Sequence, residues 1–197
     1  GEVAVIFANV GNVADTSHGI AEAQLLRGLN QLFSDFDREA ERYGIDKIKT
    51  IGGSYMAVSG LAGQRMDEDH VENAADFALA LQAIVARVIE TTGYPVQLRI
   101  GMHVGPVVAG VIGVQRPVFD CWGESVNLAA RLESKAPLRE ILVSESTYWR
   151  LKQKFDVAFA GDITLKGIGR TKSYCLKGRR NRVNETAETH PEMTVNE

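Results

Sequence analysis

The chain has 197 residues, enough for one sizeable domain or at most two small ones. Hydrophobic residues make up 45% and charged residues 24%, and 19 glycines against 5 prolines exclude collagen-like and proline-rich chains. A net charge of −3 gives no electrostatic footprint for nucleic acid, and no apolar run reaches the roughly 20 residues of a membrane span.

Residues 3–8 (VAVIFA) are short, apolar and β-branched, the pattern of a buried strand. A loop follows from Gly11 to Gly19. Residues 20–43 carry Leu25, Leu29, Leu32, Phe33 and Phe36 at helical spacing, and Gly44 ends the helix. Residues 46–51 and 54–59 are two strands around Gly52 and Gly53, a hairpin signal. Residues 63–70 are a polar connection. Residues 72–91 form a second long helix with Phe77, Leu81, Ile84, Val85 and Val88 on its inner stripe. Gly93, Tyr94 and Pro95 make a turn. Strands follow at 96–103 and 106–112, then a turn at 113–117 and a short strand to Trp122. A helix over 124–133, a strand over 141–144 and a short helix over 146–154 come next, the last opened by Ser146 or Thr147. Residues 157–176 hold a final hairpin turning near Gly167, Ile168 and Gly169. The segment 179–197 is polar, lacks an apolar period and is expected to be a disordered tail.

The early order, strand–helix–strand–strand–helix–strand, is the ferredoxin-like split βαβ. The expectation is an α+β domain over 1–178: a βαββαβ core with a C-terminal strand–helix–hairpin extension. Two long helices should cover one face of a mostly antiparallel sheet. The other face needs its own cover or a dimer partner. Cys121 and Cys175 are far apart and have no CxxC spacing, which argues against a disulfide framework and for a reducing, cytoplasmic setting. The chain opens on Gly1 directly in a strand, with no initiator Met, so it reads as a piece of something longer. It is then expected to be cytosolic, with any membrane attachment lying upstream.

Three segments carry chemistry. In the first, Lys47 and Lys49 alternate with Ile48 and Ile51, so both lysines are expected on one side of their strand. Taken alone, that is more often a solvated face than a ligand reader. In the second, Asp120 precedes a helix on which Asn127 and Arg131 stand at i and i+4, hence on one face. An amide and a guanidinium there can hold a ribose and a phosphate, though most such pairs are surface pairs. In the third, Lys166 sits at a glycine-flanked hairpin tip, either simply exposed or reaching a polyphosphate.

Together, KIKTIGGSYMAVSGL, RIGMHVGPVVAGVIG, FDCWGESVNLAARLES and LKGIG resemble the class III nucleotidyl cyclase catalytic domain, in order and spacing over about residues 2–177. The resemblance implies a palm core and a head-to-tail dimer with active sites at the interface. One subunit of that family brings two aspartates that hold two Mg²⁺ or Mn²⁺ ions, and the other reads the base and stabilises the transition state. Lys49 falls on the base-reading position and Asp120 on its partner, and Lys with Asp is the family's adenine pattern. Cys121 and Trp122 would add backbone contacts near the base. Asn127 falls on the ribose-orienting position, Arg131 on the transition-state arginine and Lys166 on the phosphate-gripping lysine.

Two departures matter. Asn9 stands where a pattern like FADIVGFT has the first metal aspartate, and Gly53 where IGDSYM has the second. Mg²⁺ in phosphoryl chemistry wants one or two carboxylates. The chain therefore resembles the second catalytic domain of animal transmembrane adenylyl cyclases, which supplies half an active site. The resemblance implies ATP as substrate and a cyclase-domain dimer partner, either a metal-bearing heterodimer partner or the chain itself. A silent regulatory or nucleotide-binding module is the alternative. Another is an active cyclase whose metal site was altered to trap substrate. Gly52 and Gly53 are also similar to the GG of diguanylate cyclases, but the acidic-Phe continuation is missing and the FDCWG segment argues against that family.

Overall fold

The computed structural model describes residues 1–11, 22–61, 70–93, 95–165, 167 and 169–180. The elements are β1 (Glu2–Gly11), α1 (Glu22–Arg42), β2 (Asp46–Ile51), β3 (Ser54–Ser59), α2 (His70–Thr92), β4 (Gln97–Pro106), β5 (Val108–Ile112), β6 (Val118–Trp122), α3 (Glu124–Lys135), β7 (Ile141–Ser144), α4 (Glu145–Leu151), β8 (Phe155–Leu165) and β9 (Gly169–Arg179). Among the described residues the main sheet runs β2-β3-β1-β4-β7-β9-β8. Its first four strands are all antiparallel and have the ferredoxin-like order. β7 joins β4 in parallel, and the β8–β9 hairpin completes the sheet through β9. Among the described residues β5 and β6 pair only with each other.

Alternation along β1 divides the core in two. Ala4, Ile6, Ala8 and Val10 pack with Leu32 and Phe36 of α1 and Phe77 and Leu81 of α2. Val3, Val5 and Phe7 face the other way, onto Ala129 of α3 and Cys121 of β6. The second face therefore has its own cover. α3 crosses β4 so closely at Gly101 that a Cβ there would overlap the Ala129 carbonyl oxygen and the Glu133 nitrogen. Only glycine fits that crossing.

Most elements lie where the sequence pattern puts them, with β2 and β3 on the expected bounds. Two expectations need correction. α4 starts earlier than expected, because Ser144 is its N-cap and accepts a hydrogen bond from the Thr147 N–H. Lys47 and Lys49 do not share a side. The β2 register shifts between them, with Lys47 opposite Ala57 and Lys49 opposite Met56. Ala57 belongs to the α1–α2 core and Met56 to the α3 core. The extra residue of a β-bulge turns the strand over, so the lysines leave it on opposite faces. The loop after Gly11, the 63–69 connection, Tyr94, Lys166, Ile168 and the tail from 181 onward lie outside the described residues.

Candidate active site

Lys49 and Asp120 come from elements 71 residues apart, and they meet. The Lys49 Nζ donates to Asp120 Oδ2 at 2.6 Å. β2 brings the lysine on the face that its bulge selects, and β6 brings the aspartate from the hairpin lying over that face. The Cys121 N–H donates to the other carboxylate oxygen at 2.8 Å. Burial pushes the Asp120 carboxyl up, but the Lys49 hydrogen bond, the Cys121 N–H and the lysine charge outweigh it and hold it below the usual carboxylate range. A charged donor and a charged acceptor stand side by side, each with capacity left for a ligand. The Cys121 side chain is buried, and Trp122 is half-buried at the end of β6.

α3 starts straight after Gly123, whose φ of 138° suits glycine. The Asn127 N–H donates back to the Gly123 carbonyl at 3.3 Å in the first turn of the helix. Asn127 is exposed and Arg131, one turn on, is half-buried, so the two share a face as their spacing requires. The Arg131 guanidinium lies against the β8–β9 turn: a Cβ built on Gly167 would be 3.8 Å from both terminal nitrogens. Gly167 of that turn thus lies against Arg131, and Lys166 is outside the described residues.

The end of β1 offers a different chemistry. The Asn9 Nδ2 donates to Ser54 Oγ at 2.7 Å, tying β1 to β3 with two neutral groups. Gly53, in the turn beside them, has no room for a side chain, because its Cβ would lie 2.5 Å from the Val10 carbonyl oxygen. The Val10 N–H also donates to the Gly53 carbonyl at 2.8 Å. Directly across β4 from Asn9 stands Arg99. Its Nε is buried and has no hydrogen-bond partner among the described residues. Burial raises the Glu133 carboxyl, and the Arg99 charge partly opposes that shift. No group of three or more His, Cys, Asp or Glu side chains that could hold a metal occurs among the described residues. A divalent-ion pair does not fit a neutral amide, a glycine and an arginine. Arg99 escaped the sequence reading because a lone arginine between Leu98 and Ile100 looks like the polar half of an alternating strand.

Comparison with known proteins resolves the family. The description "Adenylate and Guanylate cyclase catalytic domain" matches residues 1–178. The chain belongs to this cyclase family. An adenylate cyclase of Mycobacterium bovis is 40% identical over 179 residues, covering 91% of this chain and 40% of that protein. The rat guanylate cyclase soluble subunit beta-2 is 33% identical over 174 residues, covering 87% of this chain and 25% of that protein. The solved guanylate cyclase domain of RhGC from Catenaria anguillulae, in complex with GTP, superposes with a TM-score of 0.83 at 32% identity, covering 91% of this chain and 97% of that one. The chain thus spans 40% of the length of the mycobacterial relative and a quarter of the rat one.

Among the described residues, the β5–β6 hairpin leaves several apolar side chains uncovered. Val108, Val111, Ile112 and Val118 on the β5–β6 hairpin are exposed, and Val114 at its tip is 99% exposed. Lone exposed apolar side chains are ordinary, but a contiguous arm of them marks an interaction surface. No helix among the described residues is long and apolar enough to cross a membrane.

Proposed function

We propose that this cyclase domain is the base-reading and transition-state half of an adenylyl cyclase. It would turn ATP into cyclic AMP and pyrophosphate at an interface with a second cyclase domain. The Lys49–Asp120 pair carries the reading. Adenine offers a ring-nitrogen acceptor next to an exocyclic amine donor. Lys49 donates to the first and Asp120 accepts from the second, so ATP entry exchanges their mutual bond for two bonds to the base. Asn127 orients the ribose. Arg131 carries charge that develops on the phosphorus centre, and Lys166 grips the terminal phosphates.

Mg²⁺ or Mn²⁺ belongs to the partner's half, since Asn9 and Gly53 supply no carboxylate. The partner is a metal-bearing cyclase domain, and the exposed β5–β6 arm supports a paired state. A homodimer has two sites that both lack the metal carboxylates, and is therefore nearly inactive.

The test is reconstitution. The chain is mixed with a cyclase domain that keeps both metal aspartates but has Ala at its own transition-state arginine. Cyclic AMP formation by the mixture, and by neither component alone, is the expected result. No cyclic AMP from the mixture would sink the reading. The second reading, a silent nucleotide-binding module, draws support from the neutral Asn9–Ser54 contact and the crowded Gly53. It gains if calorimetry finds metal-independent ATP binding while the mixture stays inert.

A further inference from the structure

The β2 bulge raises the question of what holds it. Among the described residues β2 is an edge strand, so β3 is its only neighbour in the sheet. An edge strand slips register more easily than a central one, and a slip of one residue moves every side chain to the opposite face. In β2 such a slip would carry Lys49 away from Asp120, towards the α1 side.

One carboxylate spans the strands concerned. Asp37, on α1, accepts from the Tyr55 hydroxyl of β3 at 2.8 Å through Oδ1. Its Oδ2 accepts from the Lys47 Nζ of β2 at 2.7 Å. The Lys47 ammonium also lies 5.2 Å from the centre of the Tyr55 ring. Tyr55 is fully buried among Phe33, Phe36 and Phe77, so it is a fixed post. Burial, and next its bond to Asp37, hold its phenol well above the ordinary range, so it stays a donor. Ile48, the residue between the lysines, packs on the opposite side with the α3 core.

We propose that Asp37 is a positioning residue for base recognition: by pinning Lys47 to Tyr55 on the α1 face, it fixes the bulge that turns Lys49 onto Asp120. Without the bulge, an anchored Lys47 would place Lys49 on the same face as itself. With it, the same anchor commits Lys49 to the other face. The Asp37 carboxylate thus acts through β2 on a side chain it does not touch. The inference rests on the base-reading role of Lys49 only for its functional consequence.

The experiment therefore has two arms on the full chain. The first uses no nucleotide. With ¹⁵N-labelled lysine, the Lys49 ammonium signal is assigned by its loss in Lys49→Arg, and its protection from exchange reports the bond to Asp120. Asp37→Asn and Lys47→Met should each remove that protection, while Asp37→Glu restores part of it and Arg150→Met, at the exposed Arg150–Glu2 pair, leaves it unchanged. An unchanged Lys49 signal in Asp37→Asn overturns the proposal. If Asp37→Asn does not fold, the exposed Lys47→Met gives the same reading.

The second arm titrates fluorescent ATP and GTP analogues. Asp37→Asn should reduce the ATP-over-GTP preference roughly five- to tenfold. It should have no further effect in a Lys49→Met background. Loss of thermal stability with an intact preference would overturn the proposal, because the contact would then be merely structural. If Lys49→Met itself leaves the preference intact, the base-reading assignment fails, and the ammonium arm still decides the positioning role.

Discussion

Gly53 and Val10 are joined back to back: the Val10 N–H donates to the Gly53 carbonyl at 2.8 Å, and the Val10 carbonyl lies 2.5 Å from where a Gly53 Cβ would be. Any side chain at 53 must therefore push two backbone segments apart. Overpacking of this kind costs about 1–3 kcal/mol. Gly53→Ala and Gly53→Asp should both lower stability by about that amount in urea unfolding. Asn9→Asp should be nearly neutral, because the Ser54 hydroxyl can turn to donate to the new carboxylate. Equal stability of Gly53→Ala and the parent chain would show that the seam opens freely.

The proposed reading of the base by Lys49 and Asp120 makes an ordered prediction. Lys49→Glu alone sets two carboxylates face to face, so binding of ATP and of GTP should both weaken. Adding Asp120→Cys removes the repulsion and should turn the preference towards GTP. A mismatched base-edge hydrogen bond costs about 1–3 kcal/mol, a change of about 5- to 150-fold in relative affinity. Nucleotide titration of the parent, single and double variants checks this. Retained ATP preference in the double variant would refute the assignment.

The acid limb of stability should also report that pair. The folded-state carboxyl of Asp120 is held below its ordinary value of 3.8. The charged pair therefore stabilises the fold fully above that value, and the contribution is lost as pH falls through and below it. Asp120→Asn should flatten the stability curve in that acid window and leave its shape at neutral pH unchanged. Urea midpoints measured from pH 5 down to pH 2.5 test it.

The fold was legible because period-2 and period-3.6 patterns are strong here, and the order of elements leaves few ways to pair the strands. The site was legible only in part. Lys49, Asp120, Asn127 and Arg131 stand out in motif segments, and the structure brings Lys49 to Asp120 and Arg131 to the β8–β9 turn. The bulge at Ile48 was not visible, since one extra residue in an edge strand leaves the apolar pattern intact. The expectation that Lys47 and Lys49 share a side failed for that reason. The α4 cap was missed because Ser144, Ser146 and Thr147 are all competent caps, and only the backbone decides among them. Arg99 became notable once β1 and β4 were paired in register with Asn9. The crowding at Gly53 depends on a contact between segments 43 residues apart in sequence, which no local pattern reveals.

Arg131 provides a kinetic prediction. Its guanidinium is half-buried on α3, next to Gly167 between β8 and β9. A group that acts on charge developing in the transition state should affect kcat far more than KM. In the reconstituted pair, Arg131→Ala should lower kcat about 10²- to 10³-fold with KM nearly unchanged. Arg131→Lys should recover only part of this, because a point charge does not reproduce the planar fork. An effect confined to KM would make Arg131 a ground-state phosphate contact instead.

His103 gives the last prediction, which concerns pH near neutrality. Its Nδ1 lies 2.8 Å from the Ser144 hydroxyl, which caps α4. Burial pushes the imidazole below its ordinary value of 6.5, and the carboxylates of Glu2 and Glu124 only partly oppose this. The unfolded chain therefore binds the proton more readily than the folded one. Stability is full above 6.5 and is lost as pH falls from there through the folded-state value. Burial shifts Glu133 the opposite way for stability: its carboxyl is raised above 4.5, so its contribution is present below that value and declines as pH rises. The two windows adjoin, so a curve for the parent chain alone would mix them. The difference between the parent and His103→Asn isolates the imidazole, since Glu133 is common to both. The parent should lose stability more steeply than His103→Asn between pH 7.5 and about pH 5.5, and parallel curves would show that His103 takes up its proton equally in the folded and unfolded states.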